Sequence, residues 1–480
     1  MEKTMKKVGG IVFFLYALIF MHAQTPYVRT YGMSGFTNEG VDIVALPDIT
    51  YIIAGNRVAP SGYSWAWIFK TDSLGKILWE KYVDEYDLST VNELRKTQDG
   101  NILAIGTALK NNSYFGYVYK FTPTGQILWK YANISNEWNQ GVSVCAGKNN
   151  YVYATFTSLG TDSLDQDVVF KILDNTTGQE IGSKRVSWHG EQEPTFIDTL
   201  SDNTLGCTIV QKDSNGYSSY FIQLSENLDS IFAYHVGNDT IQVYLNGFVI
   251  DTLNVINFYG FHQKWNMTET RFLKGKLDLN LGIPFFIFYN DFAYTMNDGV
   301  IDKTTNNVYL VGNTTNNFGF GNWDVALFVD TVGGGRSGYY GAIARDWGNA
   351  VDLSPDNAVV LLGSTENYFN AVRSILFIKL HKTKLSYNDQ NYQHYTPIGN
   401  FMASSFTPLV FPNPSTGALF FQAEEEGILF CYNSFGQKIF SQHIFQNLEQ
   451  IDLTALPNGY YFFVFQTSQK VAHFSVLLQR

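Results

Sequence analysis

The phrase IFKTDSLGKILWEKY, residues 68–82, returns about fifty residues later as VYKFTPTGQILWKYA, residues 118–132. Looser copies follow as VFKILDNTTGQEIGSKRV (169–186), YFIQLSENLDSIFAYHV (220–236), FLKGKLDLNLGIPFFIF (272–288), ALFVDTVGGG (326–335) and ILFIKLHKTKL (375–385). Their turn residues, Gly75, Gly125, Gly178, Asp229, Gly282, Gly334 and Leu385, keep a period of about 51 residues. A second phrase precedes each copy. In LPDITYIIAGN (46–56), LRKTQDGNILAIGT (94–107), AGKNNYVYATF (146–156), LSDNTLGCTIV (200–210), KTTNNVYLVGN (303–313) and LSPDNAVVLLGS (354–365), an apolar strand meets an Asp/Asn/Gly turn and a β-branched strand follows. Asx-Gly chemistry between apolar runs signals a hairpin. Two hairpins per unit make four strands, the content of one propeller blade. The sequence thus predicts an all-β chain whose residues 24–400 form a seven-bladed β-propeller. Its fifth unit, about 237–297, reads as irregular, with insertions around NGFVIDTL. A pair of β-sandwiches is the competing architecture, but it would not require equal periods.

Aromatic residues make up 16% of the chain and charged residues also 16%, a composition that can bury a large core rather than remain disordered. At the N-terminus Lys3, Lys6 and Lys7 precede the apolar run Ile11–Phe20, and Ala23 offers a small residue at a cleavage point. This is the pattern of a secretory signal peptide over residues 1–23. The apolar run is too short to span a bilayer comfortably, and no later stretch reaches the ~18 apolar residues of a transmembrane helix. The formal net charge is −11 and becomes more negative once the leader is removed. Phosphate contact needs a basic face, so nucleic acid is a poor partner. Three cysteines, Cys145, Cys207 and Cys431, do not describe a disulfide framework. Buried free thiols are the simpler reading, with a Cys145–Cys207 bridge as the alternative.

After Phe401 the period stops. The tail reads FPNPSTGALFFQ, GILFCYNSFGQKIFSQ, IDLTALPNGYYFFVFQ and KVAHFSVLLQR. Proline fixes φ and removes a donor, so Pro412 and Pro414 hold an extended joint before the first strand. Alternation at Ile428, Phe430 and Tyr432, with turns at 433–436 and 457–459, predicts a small β-sandwich over 401–480. The tail is similar to the C-terminal sorting domain of the type IX secretion system. The matching residues are Pro412-Asn413-Pro414, the turn ending at Gly417, the NSFGQKI hairpin with Gly436, the IDLTALPNGYY segment with Gly459, and the terminal Arg480. What the resemblance implies is passage through the inner membrane by signal peptide and through the outer membrane by the type IX machinery. Tails of that family are often clipped, and the cargo is released or linked to surface polysaccharide.

Motifs of catalysis are missing: there is no H-E-x-x-H, G-x-S-x-G, Walker A or zinc cysteine cluster. The expectation is no catalytic residue, no metal and no cofactor. The acid pairs Asp84/Glu85/Asp87, Asp165/Asp167 and Glu191/Glu193 read as solvated loop carboxylates, although glycosidases need such pairs. His189 reads as a surface histidine. Aromatics say more. In a propeller, loops joining second and third strands share a face with loops between units. Those loops hold Trp65, Tyr114, Trp138, Trp188, Trp323 and Trp347, the candidate ligand-binding residues, with Tyr63, Phe115, Trp265 and Tyr368 beside them. Asp followed by Ser or Thr and an aliphatic residue also recurs. It resembles the O-glycosylation acceptor of bacteria that use type IX secretion, and this nominates Ser73, Ser163, Thr199 and Ser230. Turn formation by Asp-Ser and Asp-Thr is the alternative. The expected function is a non-enzymatic, secreted or surface-attached module that binds a glycan or protein. A propeller hydrolase or lyase, and a structural or adhesive surface protein, are the alternatives.

Overall fold

Every regular element among the described residues is a β-strand. The fold is seen in a computed structural model that describes residues 26–480 except 136, 160–164, 215, 238–240, 265–269, 280–282, 289–293, 315–322, 332–333, 342–343, 367–371, 386–391, 396–408, 424–425, 434–437, 446 and 468–470. The leader 1–23, Ser163, Trp265, Gly282, Tyr368 and Gly436 lie outside the described residues. No helix among the described residues is long and apolar enough to cross a membrane. The chain divides into two units, Met1–Pro397 and Ile398–Arg480.

The first unit consists of repeated antiparallel sheets that follow one another along the chain. Six are four-stranded meanders spanning 37–82, 88–132, 139–186, 191–236, 241–288 and 294–340. The seventh has three consecutive strands, Asp346–Ser354, Ala358–Thr365 and Ser374–His381. Its fourth strand comes from the other end of the unit: Tyr27–Tyr31 runs antiparallel to Ser374–His381, and Tyr392–Tyr395 lies parallel on its far side. Second and third strands are buried on both faces, as in Tyr51–Val58 and Ser374–His381, which is why they read as continuous apolar runs. Outer strands such as Ile77–Tyr82 are half-solvated and mix half-buried with exposed positions. The fifth sheet corrects the sequence reading. The segment taken for an insertion is the end of the regular strand Ile241–Ile250 and the turn into Val255–Lys264.

Packing between sheets explains the repeated phrase. Trp79 Nε1 of the first sheet donates to the Pro123 carbonyl in the last turn of the second, at 3.2 Å. Trp129 Nε1 of the second donates to Asn175 O of the third at 2.9 Å. Tyr340 of the sixth reaches Leu385 O of the seventh at 2.8 Å, and Tyr31 of the seventh reaches Gly75 O of the first at 2.7 Å. A buried aromatic is worth about 2–3 kcal/mol of apolar transfer, and its polar tip still needs a partner. The glycine of the phrase serves the turn as well as the approach. Gly178 has φ 73°, and a Cβ there would lie 2.6 Å from the Trp129 ring. In the fourth sheet this left-handed position is Leu228 (φ 68°) rather than Asp229.

The second unit pairs a three-stranded sheet (Leu409–Phe411, Ala418–Ala423, Asn447–Asp452) with a four-stranded one (Lys438–Ile444, Gly427–Tyr432, Gly459–Thr467, Val471–Leu478). Leu419, Phe421, Leu429, Cys431, Phe463 and Phe465 form the core between them. At its entry the two prolines leave the backbone without N–H groups, and the Asn413 side chain takes over. Its Nδ2 donates to Ser475 O at 2.8 Å and its Oδ1 accepts from Leu477 N at 3.0 Å. Ser415 then pairs by its own backbone with Leu477 and Gln479. The terminal Arg480 is pinned within the unit, donating through Nη2 to Leu453 O (3.0 Å) and Leu456 O (2.8 Å).

Candidate ligand-binding site

The first strand of each sheet in the larger unit carries one β-bulge, at Val41, Asn92, Val142, Thr195, Asn246, Asn297 and Asn349. A bulge re-aims the side chains around it, and here it turns polar groups toward the neighbouring sheet. Asn92 Nδ2 donates to Gly141 O (2.6 Å), Thr195 Oγ1 to Leu245 O (2.7 Å), and Asn246 Nδ2 to Met296 O (2.5 Å). Asn297 Nδ2 donates to Gly348 O (2.8 Å) and Asn349 Nδ2 to Gly40 O (2.7 Å). The bulge also demands room on the second strand: a Cβ on Gly312 would lie 1.7 Å from the Thr295 carbonyl oxygen.

Residues just past the bulge act as acceptors. Asp42 Oδ2 receives Leu94 N at 2.7 Å, Glu93 Oε2 receives Val144 N at 2.7 Å, and Asp298 Oδ2 receives Val351 N at 2.9 Å. Ser143 Oγ donates to Glu93 and accepts from Ile197 N at 3.1 Å. Asp352 Oδ2 accepts from Ala45 N at 2.8 Å and from Lys96 Nζ at 3.0 Å. Each junction between consecutive sheets, and the junction of the seventh with the first, therefore carries a side chain-to-backbone bond.

These strands enclose a cavity of about 460 Å³, lined by Asp42, Glu93, Arg95, Asp198, Asp298 and Asp352 among others. Arg95 pairs with Glu93 at 2.6 Å and lies over the Phe196 ring at 4.5 Å. Burial pushes the Asp298 carboxyl up to about 6, and burial together with the Asp298 charge holds Asp42 well above the usual carboxylate range. Glu93 is raised by burial although Arg95 opposes the shift. Burial disfavours the Arg95 cation, but Glu93, Asp198, Asp42 and Asp298 outweigh it and keep the guanidinium charged. Among the described residues no cluster of His, Cys, Asp and Glu is arranged to hold a metal ion. None of these acids was singled out from the sequence. A signal existed: aligning the first strands by the 51-residue period stacks Asn92, Asn246, Asn297 and Asn349 in one column.

The predicted aromatics lie at the opposite end of the sheets. Trp138 and Trp188 precede first strands and Trp347 opens one, whereas Trp65, Tyr114 and Trp323 flank turns between second and third strands. In an antiparallel meander those positions share one end, and the cavity-lining residues run on from the bulge toward the other. Trp323 and Trp347 meet at 6.5 Å, with Trp323 36% exposed and the Arg373 guanidinium 4.1 Å over the Trp347 ring. Arg373 also pairs with Glu39 and, at 3.5 Å, with Glu366. Tyr63 stacks near Trp65 at 6.5 Å with an interplanar angle of 18°. Trp188 packs on Tyr220 at 4.7 Å, and Tyr114 and Trp138 are half-buried in sheets of their own. Of the six, only Trp323 and Trp347 contact one another among the described residues. Phe115 is core and not rim, at 3% exposure, and Trp67 is fully buried.

The remaining candidates fall as follows. Ser230 is exposed at the start of an outer strand, and Ser73 is half-buried in a turn whose carbonyl receives Tyr27. Thr199 lines the cavity and donates to Ala146 O at 3.2 Å. Glu191 and Glu193 belong to the strand Glu191–Thr199 and not to a loop; Glu191 pairs with Lys212 at 3.0 Å. Asp167 is buried against Arg185 at 2.9 Å, and His189 is exposed. All three cysteines are buried free thiols.

Residues 409–478 match the family described as the secretion system C-terminal sorting domain, so the tail carries a type IX sorting domain. No curated protein matches the chain. Solved structures with similar backbones include the β-propeller domain of the Trilobed protease from Pyrococcus furiosus, at 11% identity and TM-score 0.45, covering 74% of this chain and 98% of that one. Sqt1 from Chaetomium thermophilum is similar at 9% identity and TM-score 0.43, covering 75% and 99%. Trypanosoma rangeli sialidase in complex with sialic acid is similar at 12% identity and TM-score 0.38, covering 84% and 85%. Likenesses at this level carry no argument about function.

Proposed function

We propose that the chain is a non-enzymatic binding module, a closed seven-bladed β-propeller delivered by type IX secretion to the cell surface or the medium. The N-terminal leader starts export and the sorting tail completes it. The ligand is an extracellular glycan, held on the aromatic rim where Trp323, Trp347 and Arg373 come together. That cluster is the observation that carries the reading: an exposed indole, a second indole beneath a guanidinium, and the acids Glu39 and Glu366 within reach. Amphipathic rings beside planar charged groups suit sugar faces and hydroxyls. Four of the cavity acids spend an oxygen on the backbone of the adjacent sheet, which gives them a part in joining the sheets.

A glycan array probed with the full chain and with Trp323→Ala tests this. Binding to a restricted set of glycans, lost in the variant, supports the reading. A blank array with folded protein, or binding unaffected by Trp323→Ala, contradicts it.

A further inference from the structure

We propose that Lys379 and Asp356 condense into an amide, a covalent cross-link inside the seventh sheet. A lysine on the third strand facing an aspartate in the first turn recurs through the larger unit. Lys70 meets Asp48 at 3.4 Å, with the carboxylate 60% exposed, and Lys120 meets Asp99 at 2.5 Å, with the carboxylate 42% exposed. In the seventh sheet the same pair is dry. Lys379 Nζ lies 2.6 Å from Asp356 Oδ2, and the two side chains are 2% and 1% exposed. Every third strand in the unit has a fourth strand beside it; here the fourth strand is Tyr27–Tyr31, which sets Tyr27 opposite Lys379. The Tyr27 and Tyr51 ring centroids stand 5.8 and 5.5 Å from Nζ, and Phe377 packs edge-on to both rings.

An ion pair in such a site loses hydration that its mutual attraction only partly replaces. An amide in the same place carries no charge to desolvate. Asp356 Oδ1 is buried and has no hydrogen-bond partner, so nothing in the described surroundings stabilises the carboxylate at that oxygen. Burial lowers the Lys379 pKa, and a desolvated neutral lysine is a nucleophile. The Nζ lone pair attacks Asp356 Cγ, an N–C bond forms, and one C–O bond of the carboxyl group breaks. The departing oxygen leaves as water, taking one proton from the acid and one from the amine. Electrons balance without an oxidant, reductant or activating group. The product ties the first turn of the seventh sheet to the strand on which Tyr27–Tyr31 closes.

Peptide mass spectrometry on a digest of the full chain decides the matter. The expected result is one branched species joining the peptides that contain residues 356 and 379, lighter than their sum by one water. Lys379→Arg abolishes that species, and the peptides around Lys120 and Asp99 stay linear in every sample. Linear peptides with an unmodified Lys379 from folded wild-type protein would overturn the proposal.

Discussion

The side-chain amide of Asn349 donates to the carbonyl of Gly40 at 2.7 Å, joining residues 309 positions apart in the chain. It sits at the junction of the seventh sheet with the first, beside the Asp352–Ala45 bond. Equivalent bonds elsewhere in the unit link neighbours about 50 residues apart. The same local device therefore serves the ordinary junctions and the one made between the two ends of the unit.

Replacing Asn349 with alanine leaves Gly40 O without this donor in a site shielded from solvent. The expected loss is ~1–2 kcal/mol of stability, the cost of a hydrogen bond plus a partly unsatisfied carbonyl. Urea denaturation followed by tryptophan fluorescence measures it. An unchanged midpoint would mean that the junction does not depend on this bond.

Stability should rise as pH falls from 8 toward 5. The Asp298 carboxyl has its folded pKa raised to about 6, and Asp42 and Glu93 are raised as well. In the folded state these groups bind protons more readily than in the unfolded state, so raising the pH through the folded pKa costs stability. Groups facing them are Arg95 and Lys96 from the second sheet, Asp198 from the fourth, Tyr259 from the fifth and Asp352 from the seventh. Asp99 works in the other direction: burial opposes its ionisation, but bonds from Lys120 and Thr97 lower its pKa to about 2, so its contribution fades as pH falls below about 4. Thermal midpoints across this range should peak on the acid side of neutrality, and Asp298→Asn should flatten the limb between pH 5 and 8.

Much of this was legible in the residues and some was not. The period announced the seven sheets because Gly75, Gly125 and Gly178 are required by a left-handed turn against which a neighbouring aromatic packs. The fifth sheet escaped because its first two strands, Ile241–Ile250 and Val255–Lys264, are longer than their counterparts, although its turn places Asn254 in the left-handed region as Asn150, Asn203, Asn306 and Asn357 do elsewhere. The cavity acids escaped for a different reason. Asp42, Glu93 and Asp298 are polar residues among several in first strands of mixed composition, and only the bulge, a backbone feature, brings them together. Loop aromatics were easy to find as a class. Which of them touch depends on distances across sheets that a linear reading lacks.

Asn413 should be critical to the sorting tail despite its exposure. Its amide supplies the donor and acceptor that the flanking prolines cannot. Asn413→Ala should cost ~1 kcal/mol and increase protease cleavage of the tail, measured by limited proteolysis of the full chain. Asn413→Asp keeps an acceptor for Leu477 N but puts a carboxylate against Ser475 O, and should be at least as damaging near neutral pH.

The thiols should be inert in the native protein. Burial raises Cys145 and Cys207 and pushes Cys431 up to about 12, so almost no thiolate is present near neutral pH. A thiol reagent should label none of the three at pH 7.5 before unfolding and all three in denaturant. Rapid native labelling would contradict the burial of these groups.

The most direct measurement is titration calorimetry of the full chain with a glycan identified on the array, repeated on Trp347→Ala and Asp298→Asn. The account predicts that Trp347→Ala weakens binding at least tenfold, about 1.4 kcal/mol, while Asp298→Asn binds like the wild type. The reverse result, with binding lost in the cavity variant and kept in the rim variant, would contradict it.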